Sequence, residues 1–200
     1  MRVVLATSNA GKLREFRELL APLGFEPLPL SQFTSMNAEE TGLSFIENAI
    51  LKARHAARAA QLPAIADDSG IEVDALQGEP GIYSARYAGS GAGDQANLDK
   101  LLNAVREVPA SERTARYQCA LAYMRSPADP SPLICQASWE GHIVLTPRGT
   151  GGFGYDPVFQ LADRGLTAAE LSAEEKNRIS HRGKAIRELA LQLRARIPVT

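Results

Sequence analysis

The chain has 200 residues, 44% of them hydrophobic and 22% charged, a composition typical of an ordinary globular domain. Its 22 basic and 23 acidic side chains give a formal net charge of −1, which argues against a protein that coats nucleic acid or an anionic membrane. Two cysteines are too few for a disulfide framework or a zinc cage, and no long apolar run or signal-peptide pattern is present, so we expect a cytoplasmic protein.

The first segment of the chain predicts a strand, a turn and a helix. Residues 3–6 are apolar, as in a short buried strand. After the small and polar residues 7–12, Leu13, Phe16 and Leu20 recur at helical spacing. The sequence therefore places a polar turn between the end of a buried strand and the start of a helix.

A second helix and a second strand follow. Ser44 and Glu47 form a capping box, which predicts a helix that continues to about Ala60. Residues 64–66 are a short apolar run that leads directly into Asp67-Asp68-Ser69-Gly70. The pattern therefore places two acidic residues at the end of a buried strand.

The second half of the chain predicts further strands, a loop and a last helix. Residues 116–125, 133–139 and 142–145 favour three strands of an antiparallel meander, the last two joined by a turn at Glu140-Gly141. Residues 147–157 form a glycine-rich loop, and a helix with one apolar stripe ends the chain. Mixed strands and helices of this kind predict an α/β fold with a mixed sheet.

The turn Thr7-Ser8-Asn9-Ala10-Gly11-Lys12 is the first candidate site. A helix N-terminus presents backbone N–H groups and the positive end of the helix dipole, and small residues let a phosphate approach them. Lys12 adds a positive charge. The turn lacks the first glycine and the Lys-Ser/Thr pair of a Walker A loop, so an ordinary polar turn remains the alternative.

Four acidic residues form the second candidate site. Glu39 and Glu40 precede the second helix, whereas Asp67 and Asp68 follow the strand. Oxygen ligands, including one or two carboxylates, are what Mg²⁺ prefers. Successive strand residues point to opposite faces, so Asp67 and Asp68 need not share a role. The alternative is that Asp68 only begins an Asx turn before Ser69.

The third candidate is the glycine-rich loop at residues 149–157. Its two aromatic residues could lay a ring against a flat ligand such as a base, or they could belong to the core. A basic segment follows at residues 176–200, and Ser180-His181-Arg182-Gly183 stands there at a helix start. Cations are unfavourable beside the positive helix end, and a bound anion would offset that cost.

Six segments resemble, in the same order, the motifs of one family. They are Thr7-Ser8-Asn9-Ala10-Gly11-Lys12, Glu39-Glu40-Thr41-Gly42 with Phe45-x-Glu47-Asn48-Ala49, Ala66-Asp67-Asp68-Ser69-Gly70, Pro80-Gly81-Ile82-Tyr83-Ser84-Ala85-Arg86-Tyr87, Gly152-Phe153-Gly154-Tyr155-Asp156-Pro157 and Ser180-His181-Arg182. From residue 3 to about residue 193 the chain is similar to the inosine triphosphate pyrophosphatase family, with its bacterial members that act on dITP and XTP. Each motif is weak alone, but six in order are specific.

The resemblance implies Mg²⁺-dependent hydrolysis of dITP, ITP and XTP to the nucleoside monophosphate and pyrophosphate. It also implies a homodimer and an α/β fold, with an elongated mixed sheet flanked by helices and an active-site cleft between two lobes. Residues 1–200 would form one domain without a separable linker. The sequence itself makes residues 77–95 the best candidate for a lobe boundary, and neither nucleic acid nor a membrane is an expected partner.

The resemblance further implies roles for individual residues. Asp68 and Lys52 would be catalytic, with Asp68 accepting a proton from water and Lys52 contacting phosphate. Asp68 would also ligate the metal together with Glu40, or with the adjacent Glu39. The nucleotide would be bound by Thr7, Ser8, Asn9, Ala10, Gly11, Lys12, Ser69, Phe153, Gly154, Tyr155, Asp156, Lys176, His181 and Arg182. Ser8 stands where many relatives have glycine, and its small side chain should be tolerated.

Three other functions remain open from the sequence. The substrate could carry a different modified base, the protein could be a nucleotide sensor without turnover, or it could be a nucleic-acid-binding module. The presence of both Asp68 and Glu40 favours an enzyme over a sensor. The net charge of −1 and the lack of a continuous basic and aromatic surface disfavour nucleic-acid binding.

Overall fold

The computed structural model describes residues 1–196. In chain order its strands and helices are β1 (Arg2–Leu5), α1 (Ala10–Leu20), β2 (Glu26–Pro29), α2 (Phe45–Ala60), β3 (Ala64–Val73), α3 (Asp94–Ala104), β4 (Thr114–Met124), β5 (Leu133–Ile143), β6 (Phe159–Leu161), α4 (Ala173–Ile179) and α5 (His181–Arg196). Short 3-10 turns lie between several of them. The helix predicted from the capping box is confirmed as α2, where the Ser44 side chain accepts the backbone N–H of Glu47.

The strands of the described chain form one mixed sheet in the order β2-β1-β3-β4-β5-β6. β1 runs parallel to both β2 and β3, with Val4 beside Leu28 on one side and Ala64 on the other. β6 is antiparallel to β5. The predicted α/β class with a mixed sheet flanked by helices is confirmed.

The chain divides by its internal contacts into two compact units. Within the described residues, the first unit comprises residues 1–68, 119–137 and 182–196, and the second comprises residues 69–118 and 138–181. The chain passes from one unit to the other within β3, β4 and β5 and at the start of α5, so the passage leaves no linker for sequence composition to reveal. Residues 77–95 all lie in the second unit rather than at a boundary.

In the first unit, α1 and α5 pack on one side of the strands and α2 packs on the other. Phe16 of α1 and Ile186 of α5 contact the cluster that contains Leu5 and Ile65. On the opposite side, alanines of α2 pack with alanines of β3 and β4. Since side chains alternate along a strand, successive residues of β1 and β3 enter different clusters, and small residues on both sides let α2 approach closely.

The second unit has an aromatic core. Tyr117 of β4, Trp139 of β5 and Phe159 of β6 are buried together with Leu101 of α3 and Ile71 of β3. Burying one large apolar side chain stabilises a fold by about 1.5–3 kcal/mol relative to leaving it exposed. This core therefore gives the glycine-rich segments of the second unit a rigid support.

One predicted turn is absent, and the expected third strand of the meander was wrong. β5 continues through Glu140 and Gly141 to Ile143, and Gly141 pairs with Leu161 of β6. A Cβ atom at Gly141 would lie 2.4 Å from the backbone oxygen of Gln160. Glycine at this position therefore permits close strand approach instead of forming a turn.

Two further findings concern the helices. α4, which begins after the capping residue Ser172, was not predicted from the sequence. Across residues 1–196, no helix combines the length and the apolar character that crossing a membrane requires.

Candidate functional site

A polar turn connects β1 to α1 as predicted, but it is shorter than residues 7–12, because α1 already begins at Ala10. Asn9 caps the helix: its Oδ1 atom accepts the backbone N–H of Lys12 at 3.0 Å, and its own backbone N–H donates to Thr7 Oγ1 at 3.2 Å. The first turn of α1 carries no acidic side chain. Because the first N–H groups of a helix have no intrahelical acceptor, this end of α1 is suited to an anion.

Asp67 fixes the side chain of Lys12. The Lys12 ammonium donates to Asp67, which also accepts from Arg182 Nε at 2.9 Å and from Cys119 Sγ at 3.3 Å. Burial alone would raise the pKa of Asp67, but the charges of Arg182 and Lys12 outweigh it and hold that pKa well below its ordinary value. Asp67 is therefore a buried carboxylate whose charge is stabilised by two cations.

Arg182 is buried rather than exposed at the start of α5. Only 2% of the residue is accessible, and its guanidinium also forms an ion pair with Glu15 of α1. Glu15, Arg182, Asp67 and Lys12 thus form a chain of alternating charges within the first unit. Arg182 neutralises two carboxylates here, and its contact with a nucleotide stays a prediction.

Asp68 contacts α2 and not the partners of Asp67, as the alternation of strand side chains allowed. Asp68 Oδ1 lies 2.5 Å from Lys52 Nζ, which lies 2.5 Å from Glu40 Oε1. Burial raises the pKa of Asp68, and the charge of Lys52 offsets only part of that rise. Glu39 is exposed, so the geometry brings Glu40 rather than Glu39 to the Asp68 carboxylate.

The second carboxylate oxygen of Asp68 is buried, and no residue of the described chain donates a hydrogen bond to it. Leaving a buried acceptor unsatisfied costs about 1–3 kcal/mol, which a bound cation or water would remove. Within residues 1–196, no three His, Cys, Asp or Glu side chains come together as a metal-binding group. A site of one or two carboxylates is nevertheless what Mg²⁺ uses when a substrate supplies phosphate oxygens.

Asp156 organises a second cluster, which lies in the second unit. Its Oδ2 atom accepts from Lys176 Nζ at 2.6 Å and from the backbone N–H of Phe153 at 2.8 Å, and its Oδ1 atom accepts from Tyr117 Oη at 3.1 Å. A Cβ atom at Gly152, whose φ is +72°, would lie 1.9 Å from Asp156 Oδ2. The loop can therefore fold over this carboxylate only with glycine at that position.

Aromatic rings surround the same cluster. The rings of Tyr117 and His181 stack with centroids 4.7 Å apart and an angle of 9°, and Trp139 lies 6.3 Å from His181. Lys176 Nζ lies 4.8 Å from the centroid of the Phe153 ring. The structure therefore brings Phe153, Lys176 and His181, all predicted to bind the nucleotide, into one cluster with Asp156.

Three other predicted residues belong to the second unit. Ser69 is half-buried on β3. The Gly154 backbone N–H donates to Asp94 Oδ2 at 2.9 Å, and the hydroxyl of the buried Tyr155 donates to the Ser84 backbone oxygen at 2.7 Å. Tyr155 therefore contributes to the core of the second unit, as the sequence alternative allowed.

A model of the Ham1 family matches residues 3–192. The chain belongs to the Ham1 family. It is 60% identical to a protein of Thioalkalivibrio sulfidiphilus (strain HL-EbGR7) named dITP/XTP pyrophosphatase, over 98% of this chain and 100% of the relative. It is 56% identical to the protein of the same name from Escherichia coli (strain K12), over 96% of this chain and 98% of the relative.

Solved structures of Ham1 proteins have the same fold. A HAM1 protein from Coxiella burnetii superposes with a TM-score of 0.88 and 48% identity, covering 96% of this chain and 98% of that chain. The Ham1 protein of Staphylococcus aureus superposes with a TM-score of 0.85 and 39% identity, covering 98% of this chain and 100% of that chain. The family resemblance drawn from the six motifs is confirmed.

Sequence reasoning missed three contacts of this Ham1 protein. They are those of Glu15 with Arg182, of Cys119 with Asp67 and of Tyr117 with Asp156. Glu15 lies three residues after Lys12, on the same side of α1, and this spacing was the only signal for its role. Cys119 is a core thiol as expected, but its contact with Asp67 could not be predicted. Tyr117 lies in a strand whose alternation does not distinguish it from any other core aromatic residue.

Proposed function

We propose that this Ham1 protein hydrolyses dITP, ITP and XTP to the nucleoside monophosphate and pyrophosphate, with Mg²⁺ as cofactor. The observation that carries the proposal is Asp68, a buried carboxylate that binds Lys52 through one oxygen and has an unpartnered second oxygen. The names of the relatives support dITP and XTP as substrates. The protein is a nucleoside triphosphate pyrophosphatase, a hydrolase that acts on acid anhydrides.

The turn at residues 7–12 is suited to hold the triphosphate. The capped N-terminus of α1 offers backbone N–H groups, and Lys12 adds a full charge that Asp67 keeps in place. Such fixed donors stabilise charge on phosphate oxygens without reorganising during the reaction. In phosphoryl transfer this electrostatic positioning is most of the catalysis.

Asp68 and Glu40 fit a hard divalent cation. The orphaned Oδ2 atom of Asp68 is an oxygen donor without a competing hydrogen bond, and Glu40 reaches the same lysine from the other side. These two residues would hold Mg²⁺, which when bound would neutralise charge on the phosphate oxygens. Lys52 forms an ion pair with each of the two carboxylates. Burial alone would lower the pKa of Lys52, but the charges of Asp68 and Glu40 outweigh it and raise that pKa.

Asp68 would also orient the attacking water and accept its proton. Burial raises its pKa, which makes it a stronger base than an exposed aspartate. Water attacks the α-phosphorus, the bond from this phosphorus to the bridging oxygen breaks, and pyrophosphate leaves with the electron pair. Positioned general-base catalysis of this kind contributes roughly 10²–10⁴-fold to the rate.

The cluster around Asp156 is suited to recognise the base. Hypoxanthine and xanthine carry an acceptor oxygen at position 6, whereas adenine carries a donor amine. Lys176 and His181 can supply N–H donors, and the Phe153 ring offers a flat apolar surface. A site built to hydrogen-bond one group can reject a ligand that lacks it by about 10⁴-fold.

We also propose a homodimer located in the cytoplasm, as the family resemblance implies. Light scattering coupled to size-exclusion chromatography would measure the molar mass in solution. A mass twice that of the 21.5 kDa chain would support the dimer, and the mass of one chain would contradict it.

The proposed reaction is tested by a product assay. Purified protein and Mg²⁺ are mixed separately with dITP, ITP, XTP, dGTP and dATP, and pyrophosphate, orthophosphate and monophosphate are quantified. We expect pyrophosphate and monophosphate from dITP, ITP and XTP, with little product from dGTP or dATP. Release of orthophosphate would move the attack to the γ-phosphorus, and tight dITP binding without any product would favour a sensor.

A further inference from the structure

The loop that carries Glu40 has no regular structure of its own. Residues 33–44 lie between the 3-10 turn Leu30–Gln32 and α2 and contain neither helix nor strand. Even so, Glu40 Oε1 lies 2.5 Å from Lys52 Nζ. Contacts that the loop makes on either side of Glu40 therefore help to set the direction of this carboxylate.

Contacts from α2 flank Glu40 on both sides. After Glu40, the backbone N–H of Gly42 donates to Asn48 Oδ1 at 2.9 Å. Before Glu40, the Met36 backbone oxygen lies 2.9 Å from His55 Nε2, which must donate because a carbonyl only accepts. The loop is thus held to the helix on both sides of Glu40.

The helix residues that make these contacts share a face with the lysine. Asn48, Lys52 and His55 are spaced four and three residues apart, so they lie above one another along α2. α2 therefore fixes the positions of both the loop and the Lys52 ammonium.

The contact between Gly42 and Asn48 is tightly packed. A Cβ atom at Gly42 would lie 2.6 Å from Glu47 Cβ and 2.8 Å from Asn48 Oδ1. Asn48 itself is 0% exposed, so its amide cannot withdraw into solvent to make room. The Gly42 backbone carries no positive φ, so this need for glycine comes from close approach rather than from the backbone conformation.

We propose that Asn48, acting through the Gly42 backbone, is a positioning residue that holds Glu40 beside Lys52 and Asp68. It thereby sets the affinity of the site for a divalent cation, an inference that rests on the proposed function. Supporting residues behind metal ligands typically change metal affinity or activity by about 10–100-fold when substituted.

Gly42→Ala tests the contact from the loop side, and Gly93→Ala is its matched control. A Cβ atom at Gly93 meets nothing within 4 Å, and the φ of Gly93 is −79°. We expect Gly42→Ala to raise the Mg²⁺ concentration for half-maximal dITP hydrolysis about 10–100-fold and to weaken Mn²⁺ binding, measured by electron paramagnetic resonance, similarly. Gly93→Ala should change neither. The proposal would be overturned if the unaltered protein, Gly42→Ala and Gly93→Ala all had the same affinity for Mg²⁺ and the same affinity for Mn²⁺.

Asn48→Leu tests the contact from the helix side, since leucine keeps the volume but removes the acceptor. If Asn48 acts through Glu40, its substitution should cost little in a Glu40→Gln background, so the two effects on cation affinity will not add. Asn48→Asp keeps the acceptor and should retain more of the affinity than Asn48→Leu. Fully additive effects would mean that Asn48 is only structural, and Gly42→Ala still decides the question if Asn48→Leu does not fold.

These outcomes separate the inference from the proposed function. The Mn²⁺ measurement requires no turnover, so it reports on Asn48 and Gly42 even if the protein hydrolyses none of the triphosphates. Absence of turnover with a Gly42-dependent Mn²⁺ site would contradict the reaction but support the positioning role. Turnover together with unchanged cation affinity in Gly42→Ala and Asn48→Leu would support the reaction but contradict the positioning role.

Discussion

Two buried aspartates of this Ham1 protein each bind a lysine, but they differ in how many of their carboxylate oxygens accept a hydrogen bond. Asp156 accepts from Lys176, from the Phe153 backbone and from Tyr117, so both of its oxygens are occupied. Asp68 accepts from Lys52 through one oxygen, whereas its other oxygen has no donor within residues 1–196.

The difference indicates two kinds of role. A carboxylate whose oxygens are both hydrogen-bonded holds neighbouring groups in place, as Asp156 holds the loop before it. A buried carboxylate with an unused oxygen and a raised pKa is instead available to a cation or a proton, and Asp68 is of this kind. Two similar pairs of aspartate and lysine thus differ in whether the carboxylate has an oxygen left to bind a further group.

Asp68→Asn tests this comparison most strongly. Its expected effect on turnover is the largest of those considered. Asparagine keeps the shape but cannot accept a proton from water, so dITP hydrolysis should fall by roughly 10²–10⁴-fold. Thermal unfolding should stay near that of the unaltered protein, because the burial that raises the pKa of Asp68 makes its charge costly. Near-normal pyrophosphate release would remove Asp68 from the mechanism.

Asp67→Asn should act mainly on stability. The substitution leaves Lys12 and Arg182 without their shared anion, and removing one partner of a buried ion pair costs about 3–5 kcal/mol. The pKa of Asp67 is lower in the folded state, so its stabilisation is full above its ordinary value of 3.8 and is lost as the pH falls below it. The variant should therefore lose less stability than the unaltered protein between pH 7 and pH 3, measured by urea unfolding; equal losses would contradict this account.

Asp156→Asn should loosen base recognition rather than chemistry. Breaking its buried pair with Lys176 leaves a cation without its counter-charge, so the KM for dITP should rise about tenfold and the preference for dITP over dGTP should fall. Steady-state kinetics with both substrates measures this. Tyr117→Phe is the milder control, since it removes one hydrogen bond worth about 0.5–1.5 kcal/mol and keeps the ring on His181. A kcat defect at unchanged KM in Asp156→Asn would contradict the division of roles.

The smallest expected effect is on the acid side of the pH profile. Asp68 must be ionised to accept a proton, so the rate should fall as the pH drops through its pKa. Burial is the largest cause of the raised pKa of Asp68, and the charge of Glu40 raises it further. Glu40→Gln should therefore move the acid limb of kcat to lower pH at saturating Mg²⁺. A shift to higher pH would show that Glu40 does not act on Asp68 through its charge.

The elements that local patterns encode were predictable. The polar turn before α1, the capping box of α2 and the acidic pair on β3 each depend on a few neighbouring residues. Even the separation of Asp67 from Asp68 followed from strand alternation alone. The phosphate candidates were correctly placed at the start of α1, but Asp67 and Asp68 were expected to end a strand and instead lie inside β3, which continues to Val73.

Features that depend on distant packing were not predictable. The burial of Arg182 requires α5 to meet Glu15 of α1, a partner 167 residues away in the sequence. Gly141 was assigned to a turn because the same residue serves turns and close strand contacts, and only β6 decides between them. Residues 77–95 suggested a boundary because of their glycines, yet the chain changes unit inside continuous strands.

The two cysteines give this protein a built-in reporter of its own opening. Both are buried; burial and the charge of Asp67 raise the pKa of Cys119, and burial raises that of Cys135 to about 11. At neutral pH almost no thiolate is present, so alkylating reagents must wait for the surrounding structure to open. The rate of thiol labelling in the unmodified protein therefore measures how often the β4 and β5 segments of the first unit separate from their neighbours, with Cys119 reporting directly on the surroundings of Asp67.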